Sequence, residues 1–302
     1  MFEKSLVNLL DLSIKQKETN GSTADKCYIH NGREYHNYLD NASWQDFINE
    51  MKTLYYPIYE NYKNGSGDEL GIKKVGKYPP KMASYGSSSR MIYLLSRDIP
   101  EFCFEKKLFT TVGGTANMDG YLNKNGTDYY IEAKCREPYY SPQFTIDRKY
   151  EQLYRYLDKL EGLDFKCSID IIDNKWMKVH FSNSQRAIEH FDIKQMICHL
   201  LGIATDKIEA PTEEKIQFLY LLYNPTKITI IEELQKKKLL ALYEQEIEEC
   251  DSIPFAELFD AIIDYLLGNT NVKKSSVANP ELLKNSFSFK RCDQTTFIET
   301  LK

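Results

Sequence analysis

The chain has 302 residues, of which 42% are hydrophobic and 27% are charged, and its formal net charge is −5. Such a chain can bury one large core or two modest ones, and its composition is that of an ordinary globular protein. The charge excludes a chain that is basic throughout, although a local basic stripe on a mildly acidic protein can still engage phosphates.

Cysteine usage and the absence of long apolar runs restrict the compartment. The seven cysteines are an odd number and form no Cys-x-x-Cys pair, which argues against a disulfide framework or a zinc site and favours a reducing cytosol. Glu3 and Asp11 fall within the first amphipathic run, so it is not a signal peptide, and no apolar run is long enough to span a bilayer. We therefore predict a cytoplasmic protein without a membrane partner.

The first part of the chain is predicted to be helical with polar connections. Apolar residues at helical spacing predict a short helix over 2–14 and a packing helix over 44–58, with a polar, turn-rich stretch at 16–42 between them. Residues 61–81 interleave glycines with lysines. That pattern fits either a flexible segment that follows a phosphate backbone or a solvated linker, and both interpretations stay open.

Strands are predicted next. Serines at 87–89 can cap a helix over 86–97, and residues 102–109 have the pattern of a first strand. Residues 116–135 form two alternating runs joined by Asn125-Gly126, the dipeptide typical of a two-residue type I′ hairpin turn.

The hairpin register brings three charged residues together. With that turn, Asp119 stands directly opposite Glu132, and Lys134, two residues beyond Glu132, points to the same face. The other face is predicted to be core, formed by Tyr129, Ile131, Ala133 and Cys135 across from Leu122, Gly120, Met118 and Ala116.

Further elements follow the hairpin. The pattern predicts a helix over 146–160, an extra strand or hairpin over 165–181, a helix over 193–201 ended by Gly202, and a central strand over 216–223 covered on both faces. Gln195 and His199 flank the apolar stripe of the third of these. They can face an active site or satisfy the sheet edge, and we favour the active site for Gln195.

The C-terminal part is predicted to be helical and then extended. Residues 229–250 are charged and helical in pattern, and 255–267 carry an unbroken apolar stripe at helical spacing. The tail from about 269 is polar and is predicted to be extended.

Opposed carboxylates on a strand pair favour a metal site. Like charges directly opposite each other destabilise a sheet by up to roughly 1 kcal/mol, whereas Mg²⁺ binds through one or two carboxylates and leaves positions for water and phosphate oxygens. A lysine beside the metal can orient or deprotonate the attacking water, or offset charge on the phosphate. The alternative is an ordinary polar outer strand.

An aspartate on one strand followed by Glu-x-Lys on the next resembles the PD-(D/E)xK nuclease superfamily. The pattern here is Asp119-Gly120, then Glu132-Ala133-Lys134, with Met118 where the nominal motif has proline. The resemblance implies an α/β fold with a mixed β-sheet and an αβββαβ restriction-endonuclease-like core.

The same resemblance implies roles for individual residues. Asp119 and Glu132 would bind Mg²⁺, for which Mn²⁺ can substitute, with the backbone carbonyl of Ala133 as a third ligand. Lys134 would activate water. Glu105 is the candidate for a further metal ligand. Gln152 with Tyr156 resembles the Gln-x-x-x-Tyr element of RecB-like nucleases, so Gln152 joins Gln195 as a further catalytic candidate.

These inferences predict a nuclease core at 81–225, between a helical and loop extension at 1–80 and a helical extension at 226–302 packed on the core.

The expected function is metal-dependent endonucleolytic hydrolysis of DNA, of restriction or repair type, in a bacterium. Double-stranded DNA is the expected partner, and a homodimer is possible in such a family. The alternatives are a non-cleaving nucleic-acid-binding or interaction protein on the same scaffold, or an α/β protein with unrelated chemistry. Phosphate contacts are expected from a basic approach to the site formed by Lys73, Lys74, Lys77, Arg136, Arg148 and Lys149.

Overall fold

The structure is a computed structural model. It describes residues 28–35, 38–65, 67–73, 79–84, 86–135, 142, 144–225, 231–232, 235, 239–268 and 279–301. In those ranges it is a mixed α/β fold with a mixed five-stranded sheet. The predicted opening helix at 2–14 and three of the predicted phosphate contacts, Lys74, Lys77 and Arg136, lie outside the described residues.

The helices of the described residues are α1 (Asn41–Leu54), α2 (Tyr56–Asn64), α3 (Ser88–Ser96), α4 (Glu151–Asp158), α5 (Ile193–Glu209), α6 (Leu239–Asp251), α7 (Phe255–Gly268), α8 (Pro280–Ser286) and α9 (Gln294–Leu301). The strands are β1 (Tyr28–His30), β2 (Arg33–Tyr35), β3 (Cys103–Phe109), β4 (Thr115–Lys124), β5 (Thr127–Lys134), β6 (Thr145–Asp147), β7 (Lys166–Ile171), β8 (Trp176–Ser182), β9 (Ala187–Ile188), β10 (Lys215–Leu222) and β11 (Phe287–Cys292).

The five-stranded sheet has the order β11-β10-β5-β4-β3. β3, β4 and β5 form an antiparallel meander, whereas β10 is parallel to both β5 and β11. β10 is therefore an interior strand, next to the edge strand β11, and its continuous apolar sequence predicted that it would be buried on both faces.

Both faces of this sheet are covered. Ile131 and Leu221 pack with the N-terminal helices in one hydrophobic cluster, and Tyr130 and Phe218 pack with α5, α7 and the second sheet in another. Each of these four side chains is at most 1% exposed. Side chains alternate between the two clusters along a strand because successive residues point to opposite faces.

A second sheet is formed by β6, β8 and β7, with β9 paired to β8. The predicted hairpin over 165–181 is confirmed as β7 and β8. The predicted helix over 146–160 is confirmed only from Glu151, because Ile146 pairs with Met177 in β6 and a short 3-10 turn precedes α4. An apolar residue at helical spacing can also point inward from a strand. Here pairing with β8 gives residues 145–147 the strand conformation.

The prediction that Gly202 ends its helix was wrong, because α5 continues to Glu209. A Cβ atom at Gly202 would lie 2.8 Å from Ala116 Cβ and 3.0 Å from Leu108 Cβ. Such distances are shorter than carbon atoms tolerate, so the glycine allows the helix to pack closely on β3 and β4.

Two further predictions need correction. The tail is not extended over the described residues 279–301, because it forms α8, the edge strand β11 and α9. The stretch predicted as polar turns contains the hairpin β1–β2, whose turn residues Asn31 and Gly32 both have positive φ. The β1–β2 hairpin is a local pairing with an Asn-Gly turn like that at 125–126, but its strands have only three residues each. Strand β11, in contrast, pairs with β10, which is distant in the chain.

None of the helices in the described ranges has the length and apolar character required to cross a membrane.

Candidate active site

The hairpin register predicted from Asn125-Gly126 is confirmed. Both turn residues have positive φ, 52° and 72°, as a type I′ turn requires. The ladder runs from Lys124↔Thr127 to Gly120↔Ile131. It stops there, so the register is confirmed only as far as Gly120, and the prediction that Asp119 pairs directly with Glu132 is not confirmed.

The two strands separate at this point. β4 continues to pair with β3 as far as Thr115↔Phe109, and β5 continues to pair with β10 as far as Lys134↔Leu222. A gap therefore opens between β4 and β5 beyond Gly120. Asp119 lies where the gap begins, and its Oδ2 accepts a hydrogen bond from the backbone N–H of Ala133 at 2.8 Å.

At the start of the gap, the side chains of β3 and β4 no longer alternate regularly between the two faces of the sheet. Leu122 packs with the N-terminal cluster, but Met118 packs on the α5 side, although residues four apart on a regular strand share a face. The predicted core face was therefore wrong for Met118 and Ala116. The register of β3 with β4 places Glu105 across from Asp119. Glu105 has φ of 56°, a left-handed conformation that reverses the alternation locally.

Glu132 and Lys134 form a buried ion pair behind the gap. Lys134 Nζ lies 2.7 Å from Glu132 Oε1, and both residues are under 10% exposed. The two side chains share a face because they are two residues apart on β5. Asp119 reaches the same cleft, so the three residues predicted to cluster are brought together.

Helix α5 provides two more polar side chains. Its first turn is capped by Asp192, whose side chain accepts from the backbone N–H of Gln195. Gln195 and His199 are four residues apart and thus lie on one face of the helix. Gln195 Nε2 donates to Glu132 Oε1 at 2.8 Å and its Oε1 accepts from Lys134 at 2.7 Å, while His199 Nε2 lies 3.0 Å from Glu132 Oε2.

The two carboxylates have opposite electrostatic environments. Burial, and then the charge of Glu132, raise the pKa of Asp119 well above its ordinary value. Burial alone would also raise the pKa of Glu132, but Lys134 and His199 outweigh it and lower that pKa to about 2. Glu132 is thus a fixed anion, and Asp119 is a carboxyl group whose ionisation the site disfavours unless a cation is present.

A polar cleft of about 510 Å³ is lined by Asp119, Glu132, Lys134 and Gln195. The other lining residues come from the N-terminal region. The sequence predicted a helix cap for its serines at 87–89 and, for residues 61–81, either a segment that follows a phosphate backbone or a solvated linker. The lining residues from this region are Tyr38, Glu69, Lys81, Ser84, Gly86, Ser87, Ser88 and Ser89. Ser87 does cap α3, by accepting from the backbone N–H of Arg90 at 3.2 Å. Glu69 forms a 3.0 Å ion pair with Lys81, and no local pattern in the sequence marks that pairing.

The donor set fits a hard divalent cation but is small. Asp119, Glu132 and the carbonyl of Ala133 offer oxygen ligands, which Mg²⁺ prefers while keeping several waters. Burial and then the charge of Glu132 raise the pKa of Asp119 and so disfavour its anion, and a bound cation would stabilise that anion. Within the described ranges no group of three or more His, Cys, Asp or Glu side chains is arranged to hold a metal ion, so water and substrate oxygens would have to complete the coordination.

No protein-family model, curated protein or solved structure matches this chain. A fold alone does not determine an activity. What this chain does must therefore be inferred from the site itself.

The remaining candidates lie outside the cleft lining. Burial, and then Glu69, raise the pKa of Glu105 to about 7, and its carboxylate lies against Gly65, where an added Cβ would be 2.7 Å away. Gln152 is exposed on α4, a helix that packs on β7 and α7. Of the two candidate glutamines, Gln195 is the one that contacts Glu132.

Three predicted phosphate contacts are engaged elsewhere. Lys73 Nζ donates to the carbonyl of Gly65, Arg148 Nε donates to Glu151 at 2.9 Å, and Lys149 Nζ lies 5.3 Å from the centre of the Tyr150 ring. Among the described residues, the cations that line the cleft are Lys81 and Lys134.

Proposed function

We propose that this protein is a metal-dependent endonuclease that hydrolyses DNA phosphodiester bonds, of restriction or repair type. One observation carries the proposal: Asp119, Glu132 and Lys134 meet where β4 and β5 separate, in a cleft open to a ligand. The succession α3, β3, β4, β5, α5, β10 supports it, because it follows the αβββαβ order of the superfamily that the motif resembles, with helix α4 and the strands of the second sheet lying between β5 and α5.

The proposed roles follow from the contacts. Asp119, Glu132 and the carbonyl of Ala133 would hold Mg²⁺ or Mn²⁺, which supplies Lewis acidity toward a phosphoryl oxygen. Lys134 is held by Glu132 and Gln195 at 2.7 Å each, so its ammonium is fixed in orientation. From there it would orient the attacking water and offset negative charge that develops on the phosphate.

DNA is the proposed substrate because the chemistry suits a phosphodiester and the cleft has a cationic side chain facing solvent. The side chain of Lys81 is 62% exposed, although a net charge of −5 requires the positive potential to be local. DNA affinity should then fall linearly on a log–log plot against salt concentration. Affinity that does not change with salt would indicate a different ligand.

One observation favours the non-cleaving alternative. Both oxygens of Glu132 already accept hydrogen bonds, from Lys134, Gln195 and His199. The anion is thus satisfied without a metal, as a binding protein on a nuclease scaffold would allow. Titration with Mg²⁺ or Mn²⁺ separates the two functions, since only the nuclease requires the metal.

The deciding experiment is incubation with plasmid, single-stranded DNA and RNA in the presence of Mg²⁺, Mn²⁺ or EDTA. Asp119→Asn, Glu132→Gln and Lys134→Ala are assayed beside the parent. We expect metal-dependent cleavage of DNA by the parent and loss of cleavage in all three variants. Equal cleavage by parent and variants would mean that another site is responsible, and no cleavage of any substrate would favour the binding protein.

A further inference from the structure

The hydrogen bonds to Glu132 leave one acceptor position on a particular oxygen. An ionised carboxylate offers about four such positions. Oε1 accepts from both Lys134 Nζ, at 2.7 Å, and Gln195 Nε2, at 2.8 Å. Among the residues that the structure describes, Oε2 accepts from His199 Nε2 alone, at 3.0 Å. The remaining position is therefore on Oε2, beside the imidazole.

Burial of the polar His199 ring in this environment disfavours folding. His199 is 2% exposed, its ring lies edge-on to Phe218 with centroids 6.0 Å apart, and within the described ranges its Nδ1 has no hydrogen-bond partner. A buried polar atom without a partner disfavours folding, so stability alone does not account for an imidazole here. Its polar contact is the bond from Nε2 to Glu132.

We infer that His199 is a positioning residue for metal binding: its Nε2–H holds the Glu132 carboxylate so that Oε2 keeps one acceptor position for a divalent cation. This inference rests on the proposed function and deepens it. A carboxylate at the end of a flexible side chain loses less entropy on binding a cation when it is already fixed. Lys134 and Gln195 fix one oxygen, and His199 fixes the other.

Two nearly isosteric variants test the hydrogen bond itself. The amide nitrogen of Gln is as many bonds from the backbone as Nε2 of histidine, whereas that of Asn corresponds to Nδ1. His199→Gln can therefore still donate to Glu132, and His199→Asn cannot reach it. His199→Leu removes the ring nitrogens with no polar replacement and serves as a third variant should His199→Asn not fold. Ile203→Val, a buried position on the same helix, controls for small losses of packing.

The measurement is the Kd of Mn²⁺ by isothermal titration calorimetry on the full-length chain, with metal-free thermal melts to verify folding. Partners that hold a metal ligand typically account for 10- to 100-fold in affinity, so we expect His199→Asn and His199→Leu to bind Mn²⁺ about 10- to 100-fold more weakly and His199→Gln within about threefold of the parent. Ile203→Val should bind as the parent does.

Each other outcome overturns something specific. If the parent binds Mn²⁺ and all His199 variants bind equally well, His199 has no positioning role and the proposed function stands. If Gln and Asn variants lose the same affinity, the hydrogen bond is not what matters and the inference is wrong. If the parent binds no Mn²⁺, the proposed function fails and the inference fails with it.

Discussion

Asp119→Asn should make the metal-free protein more stable, although Asp119 lies in the candidate active site. Burial and then the charge of Glu132 raise the pKa of Asp119 well above its ordinary value, so the fold disfavours the ionised carboxylate at neutral pH. Asparagine removes the charge but keeps an oxygen that can accept from the N–H of Ala133, which is 2.8 Å from Asp119 Oδ2 in the parent. The substitution thus removes repulsion without removing the hydrogen bond.

The size of the effect follows from like-charge repulsion and from metal linkage. Asp119 and Glu132 are not a direct cross-strand pair, but burial and the charge of Glu132 both disfavour the ionised Asp119 carboxylate. Asp119→Asn should therefore raise the free energy of unfolding by about 1 kcal/mol at pH 8 in EDTA, the order of the cost of like charges on adjacent strands. A ligand at 100 times its Kd stabilises the native state by about 2.7 kcal/mol. The parent should show that gain in Mg²⁺, and Asp119→Asn should show almost none.

Asp128→Asn is the matched control on the partner strand of the hairpin. Asp128 is fully buried and accepts from Lys207 Nζ, from Tyr121 at 2.5 Å and from Asn123 at 2.9 Å. Burial alone would raise the pKa of Asp128, but these donors lower it. Its substitution leaves the Lys207 ammonium buried beside a neutral amide, which typically costs about 3–5 kcal/mol.

The assay is urea unfolding followed by circular dichroism at pH 8, for the parent and both variants, in EDTA and in Mg²⁺. The expected signs are opposite: Asp119→Asn more stable than the parent in EDTA and Asp128→Asn less stable. Destabilisation of Asp119→Asn to the level of Asp128→Asn, or a full Mg²⁺ response in Asp119→Asn, would refute the assignment of Asp119 as a strained metal ligand.

Three further predictions concern the surroundings of the site. Lys134→Ala should lower the initial rate of DNA cleavage by about 10²- to 10⁴-fold, as loss of one positioned proton-transfer or charge-stabilising group does, while DNA affinity in a gel-shift assay changes little. Burial raises the pKa of Glu246 to about 7 from 4.5 despite its hydrogen bond from Tyr220. Between about pH 4.5 and 7 the native state therefore holds a proton that the unfolded state has released, so the free energy of unfolding falls as the pH rises through that range. In urea unfolding, Glu246→Gln should recover up to roughly 3 kcal/mol at pH 8 and almost none at pH 4.5. Gly202→Ala should lower the free energy of unfolding by about 1–3 kcal/mol, because its Cβ would meet Ala116 at 2.8 Å, and a stabilised variant would show that α5 is not in close contact with the sheet.

Some features of this protein were determined by local sequence alone. Asn125-Gly126 fixed the turn, since few residues adopt positive φ twice in succession. The turn fixed the pairing of β4 with β5, and the period of two along β5 placed Glu132 and Lys134 on one face. Strand β10 and the apolar stripe of α7 were likewise evident, because each buries a periodic set of residues that the sequence displays directly.

Other features depended on contacts between distant segments. Glycine disfavours a helix by local preference, yet Gly202 lies within α5. The residue there is glycine because the sheet leaves no room for a Cβ atom. Strand β11 has a short, mixed pattern, and its strand conformation comes from pairing with β10.

The candidate site divides in the same way. Its charged centre on the hairpin was predictable, because the register of two strands joined by a tight turn is a local property. The separation of β4 from β5, the change of faces at Glu105 and the contact of His199 with Glu132 were not. The sequence favoured the active site for Gln195 but did not identify Glu132 and Lys134 as its partners. The contacts with Glu132 join residues 63 and 67 positions apart in the chain, and only the tertiary structure decides which contacts between such distant segments form.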